Sequence, residues 1–458
     1  MVRISVRIGL FFILLILLSG SAGAEEDITK TDQPETQGKK TLTRTEDYIV
    51  VHGKKLKKNL KKKISNMSLF ASVDGKVRPI PFQIDEVDPE GEWVLTIIPP
   101  HLKDTTVKPD KDDDNGHLDK NDELVFMVRD SGDRIPEEQY PEGSLAVDEI
   151  TLADPIDGGK SWVYLCTFPK DPPLSDKDYV EYVFPEGDLD RVVGRNYEQC
   201  FLPGLPGSPG TMSIEGSENL LDRIKMRLKF RFFGIPFSLD ESMFSSELAL
   251  YNDGPIRVIR RIRNAVKISK DLKTKSAAIE NIYYDNATVV PIKIYIPVSL
   301  RLFSKILQIE IFGGADYRKR SVGARLLTNV DPRWADVDGK MDEFENSING
   351  KDFNWFLISW PECAGLTRIV LNRRPDGSLQ KTPIRTSLSY IDDDTFLDPP
   401  EDVPGQSPKI GYTMEGFTKL PRGTWFFYLV GYYFKEYKDG IEEVYLKILD
   451  QQIKVLVD

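Results

Sequence analysis

The sequence predicts an all-β protein: an antiparallel β-sandwich architecture in which a smaller N-terminal β domain is followed by a larger β-sandwich. Short runs of β-branched and aromatic residues recur between clusters of Gly, Pro, Asn and Asp along most of the 458 residues. Helical periodicity is scarce, with one or two turns expected over 342–348. The clearest alternation, over 222–233, places Arg223, Lys225, Arg227, Lys229 and Arg231 on one face and Ile224, Met226, Leu228, Phe230 and Phe232 on the other.

Taken in order, the chain opens with Arg3 and Arg7, an apolar run of eleven residues over 8–18, and the small-residue site Ala22-Gly23-Ala24. This order predicts a secretory signal peptide over 1–24, cleaved after Ala24, and so export to the periplasm or cell exterior. The apolar run is about half the roughly 20 residues that a membrane span requires, and no cysteine follows it to carry a lipid. Cleavage takes the formal charge from −11 to −13. That balance favours solubility and disfavours general affinity for nucleic acid or an anionic membrane. No second long apolar run follows, so no membrane span is expected in the mature chain.

Residues 25–45 are polar, lack periodicity and are expected to form a disordered leader. The N-terminal β domain is assigned to 46–190. Its boundary lies ahead of FLPGLPGSPG (201–210), whose Pro and Gly residues exclude helix or central strand. The larger sandwich takes 191–458. In the first domain, 68–73 and 76–84 flank Asp74-Gly75, a pair suited to the positive φ values of a two-residue hairpin turn. Pro79 and Pro81 make the second arm an edge strand. Further strands are expected over 124–128, 162–168, 179–184, 247–251, 256–263, 290–296, 307–312, 355–360, 368–371, 425–433 and 444–449. The lysine-rich stretch 52–63 reads as a turn guarding a sheet edge or a short amphipathic helix. Cys166, Cys200 and Cys363 allow one bridge, whose pairing the spacing does not choose; Cys166, inside an apolar run, is expected to be buried.

Residues 110–124 read DKDDDNGHLDKNDEL. With Gly116 as the sharp-turn glycine, Asp113 and Asn115 fall three and one residues before it. His117 offers a backbone carbonyl, Leu118 is an apolar plug, and Asp119 and Asp122 take the ninth and twelfth places. The spacing approaches an EF-hand loop and predicts a structural calcium ion. Lys111 stands at the first ligand position, where water, Asp110 or Asp112 must substitute; a solvated acidic turn is the alternative. A weaker echo follows at Asp336, Asp338 and Gly339.

The candidate ligand-binding surface is basic: Arg223, Arg227 and Arg231, continued by Arg257 and Arg261, could hold an acidic polysaccharide or another glycan. The competing reading is an outward face whose cations pair with acidic neighbours across the sheet. Only three histidines occur, His52, His101 and His117, with no nucleophile motif, phosphate loop, dinucleotide fingerprint or zinc spacing. Nucleic-acid recognition has no support. A glycosidase needs only two carboxylates, so enzymatic activity stays open with its catalytic residues unassigned.

Three stretches, IPFQIDEVD (80–88), NGHLDKNDELVFMVRD (115–130) and PRGTWFFYLVGYY (421–433) with YLKILD (445–450), resemble uncharacterised secreted bacterial proteins. The pairing of P-x-Q-I-D with D-E-L-V-F, and later GPIRVIRR (254–261), is similar to β-sandwich proteins distantly related to the galactose-mutarotase-like superfamily. The resemblance implies a large sandwich and carbohydrate handling. No catalytic His or Glu of mutarotases has a counterpart here, so their activity is not implied. The expected function is therefore that of an exported, calcium-stabilised β-sandwich protein that binds extracellular or cell-envelope carbohydrate without catalysis. A glycoside hydrolase or polysaccharide lyase, and a structural envelope protein, are the alternatives.

Overall fold

The computed structural model describes residues 38–103, 105–111, 116–184, 190–202, 207–269, 272–274, 276–318, 323–375, 377–397 and 408–458. The signal peptide, most of the expected leader, and Asp113 and Asn115 lie outside them. Every strand pairing among the described residues is antiparallel, and the all-β sandwich expected from the alternation is what forms.

The sheets stack in layers. Outermost on the N-terminal side is a five-stranded sheet in the order Lys454–Val457, Ala146–Ala153, Lys160–Thr167, Met67–Val73, Lys76–Pro79. The proline-bearing strand is at its edge, as Pro79 requires. Asp74 and Gly75 take φ of 53° and 72° and close the expected two-residue hairpin, but its second arm, expected over 76–84, ends at Pro79, and Gln83–Asp85 joins the next sheet. The C-terminal strand, Lys454–Val457, reaches back to pair with Ala146–Ala153. Residues 38–45 are packed here rather than loose: Leu42 is in the core, and Arg44 pairs with Asp47 and Asp154.

Beneath it lies a three-stranded sheet of Tyr48–His52, Glu123–Met127 and Gln83–Asp85. Both of its faces are covered. Leu124 and Phe126 pack on the five-stranded sheet, whereas Val125 and Met127 pack on a ten-stranded sheet below. That double burial explains why LVFM (124–127) reads as one continuous apolar run instead of alternating.

The ten-stranded sheet is the centre of the molecule. Its opposite face is covered by a four-stranded sheet (Glu181–Val183, Asp190–Val193, Tyr197–Phe201, Pro209–Ile214) and by a five-stranded sheet that contains Leu221–Phe232 and Leu307–Tyr317. In Leu221–Phe232 the expected split by face holds only in part: Leu221 and Ile224 pack on this core, but Met226 is 40% exposed, and Lys225, expected to point outward, is buried where it pairs with Asp316 at 2.6 Å. Pro209–Ile214, partly within the expected long turn, pairs as an outer strand.

Residues 441–450 are a correction. A strand was expected over 444–449, but Ile441–Asp450 is an α-helix. Its β-branched and aromatic residues obscure a helical period: Ile441, Tyr445 and Ile448 share the face that packs on the ten-stranded sheet. Glu442 and Glu443 favour its first turn and Lys447 its last. The turn expected over 342–348 is present as Glu343–Ser347, with Asp342 and Glu345 forming a reciprocal capping box. All three cysteines are free, and Cys166 is buried as expected. Among the described residues no helix is long and apolar enough to cross a membrane.

Candidate functional site

A cleft of about 670 Å³ opens where the N-terminal layers meet the ten-stranded sheet. Four segments build it. The turn after Glu123–Met127 contributes Arg129, and the approach to the four-stranded sheet contributes Lys177, Asp178, Tyr179 and Glu181. The turn after Asp190–Val193 brings Gly194 and Arg195, and the tight turn between Ala277–Tyr284 and Ala287–Ile296 brings Asp285. Gly194 is needed for close approach: a Cβ there would meet the Asp285 carbonyl oxygen at 2.5 Å. This contact lets the Arg195 amide donate to that same carbonyl.

Tyr179 is the centre of the cleft. Its hydroxyl donates to the Asp130 carboxylate at 2.7 and 2.8 Å. The Arg129 guanidinium carbon is 4.7 Å from its ring centre and Lys177 Nζ is 4.3 Å away. Burial, then the hydrogen bond and charge of Asp130, push the phenol well above its usual range, so it stays a donor. Arg129 pairs with the buried Asp285, and Arg195 Nε approaches the same carboxylate at 3.3 Å while its terminal nitrogen pairs with Glu46. Arg129 Nε, buried in the wall, has no hydrogen-bond partner among the described residues.

The lining thus carries three cations (Arg129, Lys177, Arg195) and three carboxylates (Asp178, Glu181, Asp285), with no serine, threonine, cysteine or histidine. Fixed donors and acceptors of balanced charge suit a neutral, hydroxyl-rich ligand better than a strongly charged one. A phenol held in its protonated form supplies orientation, not base chemistry.

Of the expected calcium loop, Asp110, Lys111 and Gly116–Asp122 are described, and Asp110, a candidate for the first ligand position, instead accepts the Leu95 amide at 3.0 Å and pairs with Arg261. Gly116 has φ of 72°, His117 bridges Lys63, and Leu118 is fully buried as a plug. The Asp119 carboxylate accepts the Asn121 amide at 3.0 Å. Asp122 accepts the Val87 amide at 3.0 Å on one oxygen and the Asp119 amide at 2.8 Å on the other. Among the described residues no three acidic, histidine or cysteine side chains are grouped to hold a metal.

The five arginines do not come together. Arg223, Arg227 and Arg231 lie along Leu221–Phe232 on the face opposite Ile224, which is covered at Lys225 and exposed at Arg231; Arg223 Nε contacts Asp222 at 3.1 Å and Arg227 contacts Glu241 at 3.3 Å. Arg257 and Arg261 belong to the ten-stranded sheet and turn towards the N-terminal layers. Arg261 pairs there with Glu280 at 2.7 Å and with Asp110 at 2.5 Å. Arg257 is buried against Asp85 and Glu123. The motifs IPFQIDEVD, DELVF and GPIRVIRR therefore meet in one ion-pair network.

No protein-family profile matches the chain, and no curated protein matches it significantly. Among solved structures it is similar to an alpha-mannosidase from Enterococcus faecalis V583, at 7% identity and a TM-score of 0.39, over 93% of this chain and 46% of that one. A glycosyl hydrolase family 38 protein from Enterococcus faecalis gives 7% identity and 0.38, over 93% and 48%. A putative aldose 1-epimerase from Escherichia coli K12 gives 7% and 0.28, over 56% and 98%. The chain spans about half the length of the first two. These likenesses are too distant to carry any residue's role across.

Proposed function

We propose that this is an exported carbohydrate-binding β-sandwich protein that holds glycan without catalysis in the cleft around Tyr179. The observation that carries the reading is the cleft's size together with its balanced, pre-paired polar lining; volumes of roughly 300–1,000 Å³ are usual for ligand sites. Planar carboxylate and guanidinium groups offer paired acceptors and donors to neighbouring hydroxyls. A neutral glycan fits this lining. The acidic polysaccharide considered for the arginines finds a divided surface on which Arg223, Arg227, Arg257 and Arg261 are engaged with protein carboxylates.

A glycan array with the purified mature chain tests the reading. Lys177→Ala and Glu181→Ala should each weaken binding about tenfold or more while leaving the melting temperature nearly unchanged, because both sit at the exposed rim. Absence of any glycan bound, or binding that both variants retain, would remove the cleft from consideration.

One observation favours a second reading, a carbohydrate-active hydrolase. Partial burial, then the like charges of Asp178 and Glu181, push the nearby Asp253 carboxyl up to about 6, though solvent at this exposed rim screens part of the effect. A carboxyl group in that range beside others can serve as a general acid. Release of reducing ends from a bound glycan, lost in Asp253→Asn, would decide for the enzyme.

Calcium belongs to the proposal as a structural ion on the 110–122 loop. Asp122→Ala should cost about 2–3 kcal/mol even in chelator, because two amides lose their acceptor. Asp113→Ala should abolish only the part of the melting temperature that responds to calcium. Identical melting of the wild-type chain with calcium and with chelator would dispose of the ion.

A further inference from the structure

The turn joining Leu221–Phe232 to Ile235–Leu239 stands at the open edge of its five-stranded sheet. Its side chains divide by face. Phe230 opposes Phe237 and Phe232 opposes Ile235 on one side; Lys229 opposes Ser238 and Arg231 opposes Pro236 on the other. At the tip the apolar side is bare: Phe233 is 66% exposed, Ile235 59% and Phe237 51%. Leu302, 74% exposed, stands at the same end, because the Phe233 amide donates to the Ile306 carbonyl at 2.8 Å and holds that turn against the tip. Clustered exposure of this kind marks an interaction surface, whereas single exposed apolar residues do not.

The backbone points the same way. Phe233 and Gly234 have φ of 49° and 79°, the left-handed pair of a two-residue hairpin turn. Asn, Asp and Gly suit the first of these positions, and a bulky aromatic residue there is strained. Apart from an edge-to-face contact with Phe232, the Phe233 ring gains no burial that offsets the strain. A ring displayed at such a cost is a candidate for function.

Charge identifies the partner. The chain as a whole is strongly acidic, at −11. Yet Lys229, Arg231, Arg301, Lys305 and Lys419 are all exposed around this end, with Arg301 hydrogen-bonded to the Lys419 carbonyl at 2.8 Å. Glu310, 3.1 Å from Lys229, offsets part of that charge. Pro236, inside the edge strand, lacks the amide that another strand would need along its whole length, which disfavours pairing with a second copy. The apolar groups project from a hairpin instead of lining a groove.

We propose that this end of the molecule docks on an anionic lipid surface, with Phe233, Ile235, Phe237 and Leu302 entering the boundary between headgroups and acyl chains. Apolar insertion and electrostatic attraction to anionic headgroups then act together, each too weak alone for stable attachment. The net charge of the whole chain repels such a surface, so contact is confined to this end.

Co-sedimentation of the full mature chain with phosphatidylcholine vesicles, with and without phosphatidylglycerol, tests this. Binding should require phosphatidylglycerol and weaken as salt rises. Phe233→Asn should reduce it about tenfold while keeping or raising the melting temperature, since Asn accepts the left-handed conformation. Failure of the wild-type chain to bind either vesicle overturns the proposal, as does undiminished binding by Phe233→Asn. Concentration-dependent dimerisation that Phe233→Asn abolishes, without vesicle binding, assigns the patch to a second copy instead. Glycan binding is measured separately and is unaffected in every case.

Discussion

Arg260→Met is expected to destabilise the protein by about 3–5 kcal/mol, among the largest effects of any single substitution here. Arg260 is wholly buried between the ten-stranded and four-stranded sheets. It pairs with Asp190, donates to the Tyr182 hydroxyl at 3.1 Å and lies 3.6 Å over the Phe201 ring centre. Tyr182 also donates to Asp190 at 2.6 Å, which closes the network. Burial disfavours the charged guanidinium, but the neighbouring Tyr182, Tyr283 and Asp190 more than offset this, and Arg260 holds its proton more firmly than an ordinary arginine. Methionine fills much of the volume but strands the Asp190 carboxylate in the core. The double variant Arg260→Met/Asp190→Leu should recover most of the loss, because well-packed apolar groups often replace a buried pair at little cost. Urea denaturation of both variants measures this. A single-variant loss below about 1 kcal/mol would show that the pair is not formed.

Much of this architecture was legible in the residues. Strand after strand follows from alternation or from a short apolar run, and Asp74-Gly75 identified its own turn. The helix at Ile441–Asp450 was misread because Ile, Val, Tyr and Leu satisfy strand preference, and the period of three to four that betrays a helix spans only ten residues. The basic residues of the strands were visible, both as a ligand surface and as partners for acidic neighbours across the sheet. What they pair with was not, since Arg260 and Asp190 lie 70 positions apart. With those partners hidden, a surface for ligand and cations paired within the protein stayed open as alternatives. The cleft was hidden for the same reason: Arg129, Tyr179, Arg195 and Asp285 come from four separate turns and form no local motif. The 110–122 loop was more open to reading, because a sharp-turn glycine and an apolar plug two residues later have local causes.

Arg257→Met is expected to cost at least as much as Arg260→Met at neutral pH, and to do so on the other face of the ten-stranded sheet, where the N-terminal layers pack. Arg257 Nη2 reaches Asp85 at 2.7 Å and Glu123 at 2.6 Å, and Nη1 donates to the Tyr284 hydroxyl at 3.1 Å. Gln83, whose side-chain carbonyl accepts the Arg257 amide at 2.9 Å, donates in turn to Asp85. One cation therefore serves two carboxylates that belong to the three-stranded layer. Burial raises Asp85 despite Arg257, whereas for Glu123 the burial penalty is outweighed by Arg257 and Trp93 and the carboxyl is lowered. Without Arg257 both acids are buried beside each other, so both bind protons more readily folded than unfolded. Where the folded state holds more protons, stability falls as pH rises. The deficit of Arg257→Met should accordingly be smaller at pH 5 than at pH 7.5, and Arg257→Met/Asp85→Asn should show less of that dependence. Because the lost pairs join the N-terminal layers to the ten-stranded sheet, calorimetry of the single variant should resolve two transitions where the parent shows one. A deficit that is the same at both pH values, with a single transition, would mean that the layers are held by Val125, Met127 and the stacked rings of Tyr48 and Tyr284 alone.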